Sequence, residues 1–532
     1  MTYYDPAAPW PPPNYAKVAA DVARAGAWYK GEPGELAGLY PDERGGTVAT
    51  KSPLVRSFFG GRSANAVNSN SPKSGAKLLK HMPVASDIAS VSADMLFGEP
   101  CSYVIPEAHA TGNLQKAAKI TEQAIADMAD EDGWDSTLLE SAEVCSGYGA
   151  VYLVPQWIAE ENRPILTFVM PGNAVPIFRN RRMVGVTFWS VIDESEKQIV
   201  RHLERHTAGL VEHFAYVGTA TSLGEPYPLA AFATTKGLMG AKEGGRVDLT
   251  PIGIKGLDCA LIPNALPNRL NPESGVGRSD TAGNEDAMND LDFTWQSWIR
   301  DLRLGQARIL VPQEFLGKEG RGKGAGFDFD REVFVPLDME EARAGKSIEV
   351  TDFTLRVDEH ETTVKALFTQ VVQGAGYSPG SFGLPDEGAM QTATEVNAKA
   401  GRSERTTGRK QRYYRRGQKL VTMNMQRMAV GWGGARFVPM DCEIIFPDGA
   451  DANIRETAST LNLLSLAKAA STRTKVAMLH PDWDEPAILA EAALIIAEEA
   501  GPMQVDPFGV GGEDDLSAAE DTPAVDPAAE DA

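Results

Sequence analysis

Residues 376–396 read GYSPGSFGLPDEGAMQTATEV, and the stretch changes character halfway along. Its first half is glycine, proline and serine, the composition of a loop. Its second half holds Thr392-Ala-Thr-Glu395, a capping box in which each end's side chain bonds the other's backbone N–H. This predicts a helix starting near Ala393, and no proline follows until Pro439. Gly401, Gly408 and Gly417 are expected bends in that helix. A loop is thus mounted directly on the end of a very long helix.

Upstream of the loop, Met288, Leu291, Trp295, Trp298 and Leu302 step by three and four, the stripe of an amphipathic helix. The expectation is a helix over residues 277–304, about 38 Å long for roughly 25 residues. A second helix, 358–376, carries Val364, Leu367, Phe368 and Val371 on one face. Between them lies a β-rich insert, 305–357, with a glycine-rich tip at 317–326. Two helices flanking a small β module imply an antiparallel stalk. Leu291, Trp295, Trp298, Leu302, Leu367 and Val371 are its expected packing residues.

Further out, a proline-rich start is expected to be an extended arm, with a helical stretch at 15–29. A Gly/Ser/Asn-rich loop follows over 41–75. Val84, Ile88, Val91 and Met95 form a helical stripe that stops at Gly98 and Pro100. CSYVIP (101–106) reads as a short strand. A helix through Cys145 breaks at Gly147 and Gly149 into a strand at 150–155. Residues 164–217 are short β-rich runs separated by turn residues, suggesting antiparallel pairing. Residues 219–272 are weakly patterned. After Gly431–Gly434 come a strand around CEIIFP (442–447) and two or three helices over 452–499. The 31 residues from Pro502 hold nine acidic and no basic side chains, a composition expected to be disordered.

The 532 residues are enough for two to four domains, and 43% hydrophobic with 23% charged content is that of a soluble globular protein. The net charge of −22 argues against tight phosphate binding, since duplex DNA carries about one charge per 1.7 Å and selects basic surfaces. Such a protein can still handle DNA if its task is to let DNA pass without sticking. Cys101, Cys145, Cys259 and Cys442 lie far apart with no Cys-x-x-Cys pair, the pattern of reduced, buried cytosolic cysteines. No signal peptide is apparent. No apolar run approaches the ~18–20 residues of a membrane span.

Four motifs bear on chemistry. Gly317-x-x-x-x-Gly322-Lys323 matches a Walker A sequence up to its last position, which is Gly324 instead of Ser or Thr, so the Mg²⁺ ligand is missing. The following AGFDFDREVF is a strand pattern, so no helix N-terminus waits to hold phosphates. His202, His206 and His213 lie with Glu204 and Glu212 in strand-like sequence; the reading is exposed strand histidines without a metal. No carboxylate pair stands out as acid and base; Gly376-Tyr-Ser-Pro-Gly380 spells Gly-x-Ser-x-Gly, but it follows a helix pattern instead of a strand, so no nucleophile elbow is expected. No catalytic centre, cofactor or metal is expected. Finally, residues 401–419 hold eight basic side chains against Glu404 alone. Arg405, Arg409, Arg412 and Arg416 are candidates for nucleic-acid contact, but a basic helix laid against acidic surface of its own or a neighbouring subunit is favoured.

The order of parts resembles a tailed-bacteriophage portal protein of the siphophage type. The resembling stretches are MPVASDIASVSADMLFGEP, GVGRSD, GAGYSPGSFG, QTATEV and HPDWDEPAILAEAALIIAEE, together spanning roughly residues 80 to 500. The resemblance implies an α+β portal fold: an α/β wing, a two-helix stem, a small β-containing clip, a long kinked helix and an α-helical crown. It maps as an N-terminal arm and flexible loop (1–80), wing (81–276), stem helices (277–304 and 358–376), and clip (305–357). Then come a tunnel loop (377–391), the long helix with its return to the wing (392–451), the crown (452–501) and an acidic tail (502–532). Within the tunnel loop, Pro385, Asp386, Glu387, Met390 and Gln391 are the expected channel residues. The implied function is a non-enzymatic ring, twelve subunits in the virion, at one capsid vertex. Its implied partners are itself, major capsid and scaffolding proteins, the terminase large subunit, a head-tail connector and double-stranded DNA in transit, with no membrane. The implied location is the virion, after assembly in the host cytoplasm. The competing readings are a nucleic-acid or nucleotide-processing enzyme and another head-assembly protein.

Overall fold

The computed structural model describes residues 7, 9–40, 80–109, 112–195, 198–236, 238, 245–304, 308–310, 317–318, 325–326, 349–351, 356–384, 393–447, 461–467, 469–480 and 485–499. The chain divides into two units, Met1–Pro447 and Asp448–Ala532.

The first unit is built on a helix pair and a three-stranded sheet. Helix α1 (Ala16–Lys30) and α2 (Pro33–Leu39) precede α3 (Val84–Phe97), whose Val84, Ala85, Ile88, Ala89, Ala93 and Leu96 are buried at helical spacing. After β1 (Ser102–Val104) come α4 (Asn113–Asp132) and α5 (Trp134–Tyr148), which packs on α3. At φ +93° Gly149 ends α5; a Cβ there would lie 2.7 Å from the Ser279 backbone nitrogen, so only glycine fits. Strand β2 (Ala150–Ile158) follows, and its residues 150–154 are all buried. Both of its faces are covered, so its sequence runs apolar instead of alternating. It pairs antiparallel with β3 (Arg163–Val169) on one side and with residues 260–263, later in the chain, on the other.

A second antiparallel sheet has the order β4–β5–β6–β7–β8, with β9 also on β7. Its strands are β4 (Ala174–Arg179), β5 (Arg182–Glu194), β6 (Ile199–Thr207), β7 (Leu210–Gly218), β8 (Glu225–Tyr227) and β9 (Arg246–Asp248). Strand β10 (Ala260–Pro263) returns to the first sheet.

Helices α6 (Glu285–Leu304) and α7 (Val357–Ala375) pack antiparallel: Asp301 bonds Arg356 and His360, while Met288 and Leu291 share a buried cluster with Val371 and Val372. Trp298 stacks on His360 at 6.0 Å, and Trp295 meets Trp298 edge-on at 5.6 Å. Leu302, expected in the seam, is 40% exposed. Helix α6 also starts later than the expected residue 277, giving 20 residues, or about 30 Å. The backbone of 278–280 is instead tied to the body, Arg278 N to Ala265 O and Asp280 N to Ser146 O. Within the insert, β11 (Arg308–Leu310) pairs with β14 (Glu349–Thr351), and β12 (Gly317–Lys318) with β13 (Ala325–Gly326).

Helix α8 (Ala393–Gly431) begins at the residue the capping box indicated and runs unbroken through its three glycines. Gly417 has a packing reason: a Cβ there would lie 2.0 Å from Ile262 Cδ1 of β10. Tyr414, Val421 and Met425 join the core formed by α3, α5, β2 and β10. Strand β15 (Glu443–Ile445) then pairs with β1.

The N-terminal residues correct the expectation of an extended arm. Trp10 is buried, its backbone N–H donates to Thr221 O, and Trp28 of α1 is 1% exposed in the core. Two large aromatic side chains supply enough apolar area to fasten the segment. The expected loop at 41–75 lies outside the described residues, as does the acidic tail.

In the second unit, α9 (Thr472–Leu479) is capped by Ser471, whose hydroxyl accepts from Thr474 N, and packs on α10 (Glu485–Glu499).

Candidate functional site

The loop on which the sequence reading turned is rooted in a buried polar junction. Gly376 ends α7 in the left-handed conformation at φ +102°, which glycine adopts without strain. Helix α8 then presents a row of side chains at three- and four-residue spacing. Arg402 Nη2 donates to Gln373 O at 2.6 Å, and Thr406 Oγ1 donates to Gly376 O at 2.7 Å. Ser378 N donates to Ser403 Oγ at 2.9 Å, and Ser381 and Ser403 hydroxyls lie 3.0 Å apart. Phe382 packs edge-on against Phe368 and Tyr377.

Beneath this row, Lys410 Nζ donates to Asp280 Oδ2 and to Ser92 Oγ. Asp280 also accepts from Ser146 Oγ (2.6 Å), Asn264 Nδ2 (2.8 Å) and the Tyr377 hydroxyl (3.1 Å). Burial alone would lower the Lys410 ammonium, but the Asp280 charge overrides it and the net shift is upward. Burial alone would raise Asp280, but Lys410 and the hydrogen bonds bring it below the usual carboxylate range. Burial pushes the Tyr377 phenol up to about 12. One ion pair therefore joins α3, α5, the segment before α6, the end of α7 and α8. Tyr377 and Ser378, expected at the start of a channel-lining loop, are buried in the body. Pro385, Asp386, Glu387, Met390 and Gln391 lie outside the described residues.

Lys410 belongs to the basic run, yet it differs from its neighbours. Arg402, Arg405, Arg409, Arg412 and Arg416 are all exposed, along one face of α8. Sequence reasoning grouped Lys410 with them. Its position a half-turn away, between the buried Thr406 and Tyr414, was the available signal.

The histidines are not exposed strand residues. His202, Glu204 and His206 alternate along β6, so all three point to one face of the sheet, and Glu204 is paired with His213 of β7. His206 is buried and held between Asp258 (Nδ1 to Oδ1, 2.8 Å) and Glu204 (Nε2 to Oε1, 3.1 Å). With a carboxylate at each nitrogen, both N–H groups donate and the ring is an imidazolium. Burial alone would lower it, but Asp258 and Glu204 raise it to about 10. Burial alone would raise Glu204, but His206 brings it down to about 2. His202 and His213 stack with nitrogens 3.2 Å apart, and burial lowers both, His202 to about 4. Cys259 lies close enough to His206 and Asp258 to complete a three-atom metal set, beside a cavity of about 120 Å³. Both His206 nitrogens are already committed, however, and Cys259 belongs to an apolar cluster with Tyr152, Val186 and Phe188. The arrangement is a charged tie between β6 and the residues entering β10.

At the Walker-like sequence, Gly317–Lys318 pairs antiparallel with Ala325–Gly326, so a strand stands after Gly324 where a phosphate loop needs a helix. Lys323 and Gly324 lie outside the described residues.

Among solved structures, the chain is similar to "Neck of empty GTA particle computed with C6 symmetry" at 13% identity, covering 75% of this chain and 90% of that one, with a TM-score of 0.38. It is similar to "Virion of native gene transfer agent (GTA) particle" at 12% identity, covering 88% and 94%, also with a TM-score of 0.38. No curated protein matches it. A family model, "Phage portal protein, SPP1 Gp6-like", matches residues 64–504. With a match over that much of its length, the chain belongs to the SPP1 Gp6-like family of phage portal proteins.

Proposed function

We propose that twelve copies of this portal protein close into a ring at one capsid vertex, through which double-stranded DNA enters and later leaves the particle. Family membership over residues 64–504 carries the reading. In this reading 81–276 is the wing, α6 and α7 are the stem, the insert between them is the clip, and the second unit is the crown. The terminase large subunit and a head-tail connector dock on the ring, and capsid and scaffolding proteins surround it. The protein is structural, and ATP hydrolysis belongs to the terminase.

The loop beyond Leu384 is the part that meets DNA, through Pro385, Asp386, Glu387, Met390 and Gln391. Residues 377–391 contain no Lys or Arg, so contacts with phosphate lack the counterion-release contribution that makes binding tight. The clamp from Gln373 to Ser381 supports the role: a loop that meets moving DNA needs a root that does not move with it. Negative-stain images of the purified full-length chain test the ring. Particles with a central hole and about twelve-fold symmetry are expected; a monomer or dimer at every concentration overturns it.

A further inference from the structure

Apart from Arg402, which also clamps the root of the loop, the exposed arginines of α8 remain without a role. Arg402, Arg405, Arg409, Arg412 and Arg416 follow one another at steps of three and four, a stripe about 21 Å long. Arg402 and Arg405 donate to backbone carbonyls. Among the described residues, no carboxylate forms a salt bridge with Arg409, Arg412 or Arg416. Burial first, then the Arg269 charge and more weakly that of Arg409, lower the Arg278 guanidinium against the opposing charge of Asp280. Like charges at this spacing destabilise a helix. A second patch has the opposite sign. Asp127, Asp130, Glu131 and Asp135 are exposed at the corner between α4 and α5. Among the described residues no Lys or Arg forms a salt bridge with them. Burial and then the Asp130 charge raise Asp135.

We infer that the arginine stripe of one copy docks on the α4–α5 acidic corner of the next copy. The inference rests on the ring reading above. A ring is closed by head-to-tail contacts, which need two different, complementary patches on each chain. This chain carries such a pair: among the described residues Arg409, Arg412 and Arg416 form no salt bridge within their own copy, and in the acidic corner only Asp132 does, with Arg163. Charge complementarity favours a second copy over DNA as the occupant. A protein of net charge −22 supplies acidic surface in every neighbour, whereas five arginines along the DNA path would grip what must slide.

The test compares full-length wild type with Arg409→Glu/Arg412→Glu, with Asp130→Arg/Glu131→Arg, and with all four changes together. Native mass spectrometry follows the ring fraction against protein concentration, and circular dichroism checks that each variant is folded. Each double variant is expected to raise the half-assembly concentration about tenfold or more, and the combined variant to restore it. Double variants that assemble like wild type overturn the inference, as does a combined variant no better than its parents. Normal rings that have lost DNA packaging after arginine reversal place the stripe on DNA, and also overturn it. A wild type that forms no ring at all overturns the ring reading itself, so the two failures are distinguishable.

Discussion

Lys410→Met removes the cation from the junction beneath the loop while keeping most of the side chain's volume. The Lys410 side chain is 3% exposed and that of Asp280 4%, so neither charge has water to fall back on. Taking one partner from a buried pair leaves an uncompensated charge and costs about 3–5 kcal/mol. Asp280 keeps its bonds from Ser146, Asn264 and Tyr377, which soften the loss, so the expected destabilisation is about 3 kcal/mol. The pH dependence gives a second check. The folded-state pKa of Asp280 is depressed, so its contribution is present above the unfolded value of about 3.9 and is lost as pH falls through the folded value. In the variant that depression is gone, so the deficit relative to wild type should be largest near neutrality and shrink below about pH 4. Lys410→Met/Asp280→Asn should recover much of the loss, because a neutral junction has no stranded charge. Urea unfolding followed by tryptophan fluorescence measures all three. A Lys410→Met variant within about 0.5 kcal/mol of wild type, or a double variant as unstable as the two singles summed, would refute the reasoning.

Two further outcomes are expected. His206→Gln should cost about 3–5 kcal/mol at pH 6 by stranding Asp258 and Glu204. Because folding raises His206 to about 10 from an unfolded value near 6.5, its stabilisation is complete below about pH 6.5 and fades as pH climbs to about 10. Melting curves across that window should therefore slope in wild type and flatten in the variant; parallel curves would contradict the imidazolium assignment. For the channel loop, Asp386→Lys/Glu387→Lys should slow packaging or ejection, more so at low salt, with rings intact. Packaging at the normal rate at every salt concentration would remove the loop from the DNA path.

Local periodicity and capping carried much of the secondary structure. The Thr392–Glu395 box placed the start of α8, and three-four spacing found α3, α6 and α7, because a helix's hydrogen bonds and apolar face are set within a few residues of one another. The same reasoning carried α6 too far back, to residue 277, since no local signal says that Asp280 is held by Ser146 and Lys410, both more than a hundred residues away. It read His206 as exposed because alternation along β6 shows that His202, Glu204 and His206 share a face but not which face is covered; Asp258, 52 residues on, decides that. And it counted Lys410 among the eight basic side chains of 401–419 without marking it as the one held in a buried ion pair. Charge type is written in the sequence. Whether a charge meets water or a buried partner depends on which distant segment packs over it, and only the tertiary structure decides that.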